Sequence, residues 1–356
     1  MSDTNAIQLA GVGPVAALER KLREHFGMRY AACMPSGTTG LLACALVLGL
    51  RRAEFVTTPY TWGGTIGPWL WLGHQPRFAD IEPLTLGLDP SCARRAITTR
   101  TRAILAADIY GMPSDTEGLR RVADEHGVWY IADAAQGLGG LRNGRPASSL
   151  ADLVVVSFTA GKLIDAGEGG AVLTSRDDLY ERLVWLTQHP ARQRRELGLD
   201  NEFGLNGRIH PWAAERACTT FNRELGALEC RRRRCAQILE LAAQAGFTRE
   251  ANFRSRRIEP TFLRLTAVWR GKPRPRQLAN GLAAHGIRVS VGPAPVRPLY
   301  LQPAFQAQWP WFAADAHCPE AERQSRRRFA VAETADRCPS STEGGKHEYL
   351  ADVASR

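Results

Sequence analysis

Lys162 is the residue whose surroundings point most directly to covalent chemistry. It follows the apolar run LVVVSF at 153–158 and precedes the glycine-rich segment GEGG at 167–170. An amine at the mouth of a cleft loses part of its hydration, which lowers its pKa, and only the neutral amine attacks a carbonyl carbon to form a Schiff base. The pattern makes Lys162 a candidate nucleophile; the alternative is an ordinary solvated loop lysine.

Asp133 is a second candidate, because it follows the apolar residues VWYIA at 128–132. A buried carboxylate is costly unless it pairs with a cation or accepts hydrogen bonds. We therefore expect a positive group to face Asp133 in the functional state of the protein.

The segment Ser36-Gly37-Thr38 lies between an apolar run and a predicted helix. The N–H groups and the dipole at a helix start attract phosphate, while Gly37 allows close approach and the hydroxyl groups add donors. A simple helix cap explains the same residues. Trp62, followed by two glycines, suits stacking on an aromatic ligand, although tryptophan is more often part of a core.

Seven β-rich runs place these residues at strand ends. Helical patterns at 38–50 and 115–126 connect some of the runs, and several runs are apolar on both faces, as in a parallel sheet covered on both sides. This order predicts a doubly wound α/β fold, with ligands beyond the C-terminal strand ends. No GxGxxG follows the first run, which disfavours a nicotinamide enzyme. The runs are YAACMPS (30–36), EFVTTPY (54–60), QPRFADI (75–81), RAILAADIY (102–110), VWYIADAA (128–135), LVVVSF (153–158) and GGAVLTS (169–175).

Composition restricts the other classes of function. The net charge is +10, but the arginine clusters at 192–195, 231–234 and 326–328 are far apart and lack interleaved aromatic residues, so we expect no nucleic-acid partner. No apolar stretch reaches the roughly 20 residues of a membrane span, and the first ten residues lack signal-peptide features, so we expect a cytoplasmic protein. The cysteines form no CxxC pair, and we expect no metal site.

The candidate residues together fit one ligand. A phosphate cradle, an aromatic side chain, a buried carboxylate and a reactive lysine match pyridoxal 5′-phosphate, which has a phosphate, a flat ring, a basic ring nitrogen and an aldehyde. Asp133 is then the predicted partner of the ring nitrogen, keeping it protonated.

An ordered series of motifs resembles the DegT/DnrJ/EryC1/StrS family, whose members are fold-type I pyridoxal-phosphate enzymes and mostly sugar aminotransferases. The resemblance runs from about Gly13 to His210. It implies a mostly parallel seven-stranded sheet with helices on both faces and a smaller C-terminal α+β domain. We expect a large domain at 1–216, a small one at 217–332 and a polar tail at 333–356. The motifs are PSGTT (35–39), PYTW (59–62), DIEPLTLGLDP (80–90), DAAQ (133–136), SFTAGK (157–162) and GEGGAV (167–172).

The resemblance also implies roles for individual residues. Lys162 would bind the cofactor aldehyde and then carry protons, and Trp62 would stack on the ring. Gln136 would approach the ring hydroxyl, while Asn206, in GLNGR, would reach across a homodimer interface to the partner's cofactor phosphate. The phosphate itself would be held by Gly37, Thr38 and Ser157.

The implied activity is transfer of an amino group from glutamate or glutamine to a cyclic ketone on a nucleotide sugar, cyclitol or related carbocycle, in amino-sugar or secondary-metabolite biosynthesis. Gly161-Lys162-Leu163 also resembles 3-amino-5-hydroxybenzoate synthases, so a cofactor-dependent dehydratase is a second hypothesis. Members that dehydrate usually have histidine in place of Lys162, which favours amino transfer. A third hypothesis is a non-catalytic regulatory or nucleic-acid-binding protein on the same fold; the intact lysine and Asp133 argue against it.

Overall fold

The computed structural model describes residues 10–244, 257–268 and 275–333. All seven β-rich runs form strands, and they belong to one sheet. A short two-stranded ribbon, β6 and β7, lies between the fifth and sixth of these runs in the sequence. The strands are β1 (Tyr30–Met34), β2 (Glu54–Thr57), β3 (Gln75–Phe78), β4 (Thr101–Ala107), β5 (Trp129–Asp133), β6 (Leu141–Arg142), β7 (Arg145–Pro146), β8 (Leu153–Ser157) and β9 (Gly170–Thr174).

The large sheet has the strand order β1-β9-β8-β5-β4-β2-β3 and is mostly parallel, as predicted. Neighbours from β8 to β3 run parallel, whereas β9 is antiparallel to both β1 and β8. The C-terminal ends of β1, β5 and β8 and the N-terminal end of β9 therefore meet at one edge of the sheet.

Side chains of successive residues in the central strands pack alternately into two core layers, one on each face of the sheet. In β8, Leu153 and Val155 pack into one layer, while Val154 and Val156 pack into the other. Each fully buried side chain of this size contributes about 1.5–3 kcal/mol. Burial on both faces explains why β8 reads as a continuous apolar run rather than an alternating one.

Helices cover both faces, and side chains in the sequence set where several of them begin. Ser36 caps α2 by accepting a hydrogen bond from the N–H of Thr39, and Asp115 caps α5 in the same way through Gly118. The helices of this part are α1 (Pro14–Phe26), α2 (Gly37–Val47), α3 (Gly63–Trp71), α4 (Pro90–Ala96), α5 (Thr116–His126), α6 (Asp177–Thr187), α7 (Pro190–Leu197), α8 (Pro211–Gly226) and α9 (Leu228–Gln244).

The C-terminal part adds β10 (Ile258–Glu259), which pairs with β6, and a three-stranded antiparallel sheet of order β11-β13-β12. Asp80, after β3, accepts hydrogen bonds from Glu320 and Ala321 at the start of α13, which ties this part to the large sheet. The remaining elements are β11 (Leu265–Val268), α10 (Pro275–Ala284), β12 (Val289–Pro293), α11 (Pro303–Gln308), α12 (Pro310–Ala314), α13 (Pro319–Arg327) and β13 (Arg328–Glu333).

The domain division stays a prediction. Its first boundary, between residues 216 and 217, falls inside α8. The tail predicted at 333–356 lies, except for Glu333, outside the described residues. Among the helices that the structure describes, none combines the length and apolar character needed to cross a membrane. Residues 10–244, 257–268 and 275–333 also contain no cluster of His, Cys, Asp or Glu suited to a metal ion.

Candidate active site

Asp133 ends β5 and is only 7% exposed. Its Oδ2 accepts a hydrogen bond of 2.7 Å from the Thr65 hydroxyl, and its Oδ1 accepts one of 3.0 Å from the N–H of Ala135. Burial raises the pKa of Asp133, and these two donors and the nearby Lys162 charge only partly oppose that rise. The carboxylate is therefore placed to gain from a further cation.

Lys162 lies half-buried in the connection between β8 and β9. Burial lowers the pKa of its amine, the Asp133 charge opposes this change, and Arg264 adds to it. The backbone N–H of Lys162 donates to the carbonyl of Thr159, which fixes the turn that carries the side chain. Lys162 and Asp133, which are 29 positions apart in the sequence, thus lie close enough to influence each other's ionisation.

The start of α2 lies against the end of β8 and the start of β9. A Cβ atom on Gly37 would lie 3.1 Å from Cβ of Ser157, and one on Gly170 would lie 2.6 Å from the N atom of Gly37. Only glycine permits this approach at position 170. The first N–H groups of a helix have no acceptor within the helix, so Gly37 and Thr38 present donors beside the Ser157 hydroxyl.

Trp62 stands at the mouth of the same region and is 62% exposed. A Cβ atom on Gly64 would lie 3.2 Å from Oγ1 of Thr38 and 3.4 Å from Cδ1 of Trp62, so both side chains flank this glycine. An exposed indole beside the start of α2 is available to cover a flat ligand.

Gln136, half-buried just beyond β5, uses its side-chain oxygen to accept a hydrogen bond of 2.9 Å from the N–H of Tyr110. Tyr110 has a left-handed backbone conformation, with φ of 57°, and this bond stabilises it. The amide NH2 of Gln136 has no acceptor in the part of the chain that the structure describes, which leaves it free to donate to a ligand.

Asn206 makes no hydrogen bond to another candidate residue within the described part of the chain. Its side chain is exposed, and its oxygen accepts a hydrogen bond from Arg208. The flanking backbone is anchored to the end of α6, since Leu205 and Gly207 donate to the carbonyls of Leu186 and Thr187. The role of Asn206 in a partner's site stays a prediction.

Two residues at the site were not predicted from the sequence. Thr65 lies in the first turn of α3, and the polar residue shortly after the Trp62-Gly-Gly motif was the only signal for it. Arg264 comes from the C-terminal part, about 100 residues beyond Lys162. No local pattern marks it, because only the tertiary docking of 261–264 brings it near the site.

Residues 5–336 match the DegT/DnrJ/EryC1/StrS aminotransferase family. The chain belongs to this family. The family's cofactor is pyridoxal 5′-phosphate, and the residues present fit it. Asp133 is a buried carboxylate with a raised pKa, Gly37 at the start of α2 packs against Ser157, and Lys162 is a half-buried amine with a lowered pKa.

Individual relatives carry sugar and cyclitol names. The chain is 31% identical over 257 residues to an L-glutamine:2-deoxy-scyllo-inosose aminotransferase of Streptoalloteichus tenebrarius, covering 67% of this chain and 60% of that protein. It is 32% identical over 186 residues to a UDP-2-acetamido-2-deoxy-3-oxo-D-glucuronate aminotransferase of Pseudomonas aeruginosa, covering 51% of this chain and 52% of that protein. Thus the chain spans only about half the length of that relative.

The fold agrees with that of a solved structure. DesI, in the presence of its TDP-sugar product, superposes with a TM-score of 0.72 and 27% identity, covering 90% of this chain and 80% of DesI. This match bears out the expected fold-type I architecture.

Proposed function

We propose that the protein is a pyridoxal-phosphate-dependent aminotransferase that moves an amino group from glutamate or glutamine to a cyclic ketone on a nucleotide sugar, cyclitol or related carbocycle. The observation that carries the proposal is the pairing of a half-buried amine, Lys162, with a buried carboxylate, Asp133, at the C-terminal edge of the sheet. When bound, the cofactor supplies an electron-withdrawing ring that stabilises negative charge on the carbon undergoing proton transfer.

The residues of this chain have separable roles in that reaction. The Lys162 amine holds the cofactor covalently and, once displaced by the amino donor, moves a proton to or from the substrate carbon. Asp133 keeps the ring nitrogen protonated, because a cation beside this buried carboxylate relieves the cost of its burial. Thr65 orients the carboxylate through its hydrogen bond.

The remaining candidate residues orient the cofactor. Gly37, Thr38 and Ser157 bind the phosphate, Trp62 covers one face of the ring, and the free NH2 of Gln136 donates to the ring oxygen. These assignments rest on the close approach of the start of α2 to β8 and on the exposure of the indole.

The proposal includes a homodimer with a site at each interface. Asn206 is exposed, and large apolar side chains between positions 185 and 212 also face solvent. Exposed large apolar side chains support a protein–protein interface here. The residues are Trp185, Leu199, Phe203, Leu205 and Trp212, of which Phe203 is 94% exposed.

The deciding experiment adds L-glutamate or L-glutamine to the purified holoenzyme and follows the cofactor absorption. Conversion of the cofactor to its amine form supports amino transfer. A cofactor that neither donor converts would contradict it and favour the dehydratase. A cytoplasmic location belongs to the same proposal, and cell fractionation tests it.

A further inference from the structure

Asp165 is a carboxylate in the connection between β8 and β9 that the proposed reaction has not used. It lies three residues after Lys162, and its side chain is only 17% exposed. Its Oδ2 accepts a hydrogen bond of 3.0 Å from the N–H of Gly161, and its Oδ1 accepts one of 2.9 Å from the N–H of Gly167. The carboxylate therefore bridges the residue before the lysine and the residue five positions after it.

The two glycines that donate to Asp165 have a backbone conformation that needs support. Both have φ of 83°, in the left-handed region, and a Cβ atom at either position would meet nothing within 4 Å. The conformation of the chain, rather than crowding, thus accounts for glycine at 161 and 167, and glycine loses more conformational freedom on folding than any other residue. The two bonds to Asp165 help to select this one conformation.

The backbone of Lys162 is also held by its other neighbours. Its N–H donates to the carbonyl of Thr159 at 3.1 Å. On the other side, Leu163 and Ile164 lie between the lysine and Asp165 and are buried in the core. Because this backbone is anchored on both sides, the place of the amine depends on the turns that the carboxylate holds.

Arg216 reaches Asp165 from α8. Its Nε donates a hydrogen bond of 3.2 Å to the Asp165 carbonyl, and its Nη2 lies 3.8 Å from Oδ1. The arginine side chain is 62% exposed, and exposed ion pairs contribute little to stability. The contact with Arg216 is therefore weaker than the two bonds to backbone N–H groups.

We propose that Asp165 is a positioning residue that holds the Lys162 amine where it can bind the cofactor aldehyde and carry protons. The inference rests on the function proposed above, because that proposal makes Lys162 the group that binds the cofactor. Among the described residues, the charges that act on the pKa of Lys162 are those of Asp133 and Arg264. The effect of Asp165 therefore passes through the backbone rather than through its charge.

The test compares wild type with the variants Asp165→Ala and Asp165→Asn. Stopped-flow absorbance gives the rate at which each cofactor-free protein binds pyridoxal 5′-phosphate, and fixation by borohydride verifies that the bond is covalent. We expect the rate to fall about 10-fold or more in Asp165→Ala, because a misplaced nucleophile attacks slowly. The fall should be smaller in Asp165→Asn, whose amide oxygen still accepts one N–H. An unchanged rate in Asp165→Ala overturns the proposal.

Asp115→Ala is the matched control. Asp115 also accepts a bond from a backbone N–H, that of Gly118 at 3.0 Å, and it also lies near an arginine, Arg142 at 3.5 Å. Its replacement should lower the free energy of unfolding but leave the rate of cofactor attachment unchanged. An equal fall in rate in Asp115→Ala would show that lowered stability alone slows attachment, and the assignment of Asp165 would fail.

The pH dependence of attachment separates position from charge. Burial lowers the pKa of Lys162, so a loosened loop that hydrates the amine should move the midpoint of the rate upward in Asp165→Ala, towards the ordinary value of 10.5. Removing a carboxylate that acted through its charge would move the midpoint downward, because a nearby negative charge stabilises the protonated amine. An upward shift supports the positioning role, and a downward shift or an unchanged midpoint contradicts it.

A second variant tests the same hydrogen bond from the side of its donor. Gly161→Ala keeps the carboxylate but disfavours the left-handed conformation that directs the N–H of residue 161 towards Asp165. Gly144→Ala is its control, since Gly144 has φ of 75° and a Cβ atom there would also meet nothing within 4 Å. Slower attachment in Gly161→Ala than in Gly144→Ala supports the proposal, and equal rates contradict it.

The two proposals can fail separately, because attachment of the cofactor is measured without an amino donor. A protein that binds the cofactor more slowly without Asp165, yet is not converted by glutamate or glutamine, supports the positioning role and contradicts amino transfer. A protein that either donor converts, and whose attachment rate does not depend on Asp165, does the reverse.

Discussion

Thr65 donates a hydrogen bond of 2.7 Å from its hydroxyl to Oδ2 of Asp133, across the gap between α3 and the end of β5. The Thr61 hydroxyl lies 2.8 Å from that of Thr65 and extends the chain of polar groups. The carboxylate is thus held in one orientation by residues that are themselves buried. Burial still raises the pKa of Asp133, so these hydrogen bonds orient the carboxylate but compensate its negative charge only in part.

Replacing Asp133 with asparagine should lower activity by about 100-fold or more, because the preorganised charge beside the ring nitrogen is lost. The same change should stabilise the cofactor-free protein at pH 7. Because the folded state raises the pKa of Asp133, the protonated carboxyl stabilises the folded protein at pH values below the ordinary pKa of 3.8, and this stability is lost as the pH rises through the raised folded pKa. Asparagine cannot ionise and avoids that loss. The difference in stability between Asp133→Asn and wild type should therefore shrink towards pH 4.

Thermal unfolding of the cofactor-free proteins between pH 4 and pH 8 measures this effect. Asp178→Asn is the control, because Arg176 lowers the pKa of that exposed carboxyl and neutralising it should not stabilise the protein. An Asp133→Asn protein that is less stable than wild type at pH 7 would contradict the expectation.

Lys162→Ala should abolish turnover, since nucleophile and proton carrier are one group. It should also prevent borohydride from fixing the cofactor to the protein, which mass spectrometry detects. Lys21→Ala is a matched control, because Lys21 bonds Asn222 on the surface and should keep both properties. Normal turnover in Lys162→Ala would overturn the assignment.

Ser157→Ala should weaken cofactor binding about 10-fold, the effect of losing one hydrogen bond to a charged phosphate. The unfolding of the cofactor-free protein should change little, since among the described residues the hydroxyl bonds only to Thr159. Absorbance titration with pyridoxal 5′-phosphate gives the affinity, with Ser149→Ala as control. An unchanged affinity would remove Ser157 from the phosphate cradle.

The lowered pKa of Lys162 gives cofactor attachment a pH dependence. The rate at which the cofactor-free protein binds pyridoxal 5′-phosphate should rise with pH and reach half its maximum below 10.5, the ordinary lysine value. Arg264→Gln removes a nearby positive charge and should move that midpoint to higher pH. Stopped-flow absorbance measures both, and identical profiles would show that Arg264 does not act on Lys162.

Asn206 can be tested by subunit mixing. If it acts in the partner's site, Asn206→Ala and Lys162→Ala proteins are each impaired, but a hybrid dimer contains one site with both native residues. A refolded equal mixture should regain up to about a quarter of wild-type activity, since half of the dimers are hybrids with one intact site. No regain beyond the activity of the separate variants would contradict the crossing role.

The parts that could be predicted from sequence are those next to apolar strands. Asp133 and Ser157 end β5 and β8, so locating the strands also located the residues. The direction of β9 could not be predicted, because GGAVLTS forms the same strand in either orientation. The start of β11 at Leu265 could not be predicted either, because the N–H groups of Thr261 and Arg264 donate to the carbonyls of Gly111 and Tyr110 instead.

The antiparallel orientation of β9 limits how many residues the connection between β8 and β9 can contain. Ser157 pairs with Gly170, and a bridge joins Thr159 to Gly167, so the connection 158–169 is closed at its base by paired backbone. One residue more or fewer would either shift the register, turning each β9 side chain to the opposite face, or move the lysine along the loop. Insertions and deletions should therefore be far less tolerated here than at the exposed turn of Asn143 and Gly144.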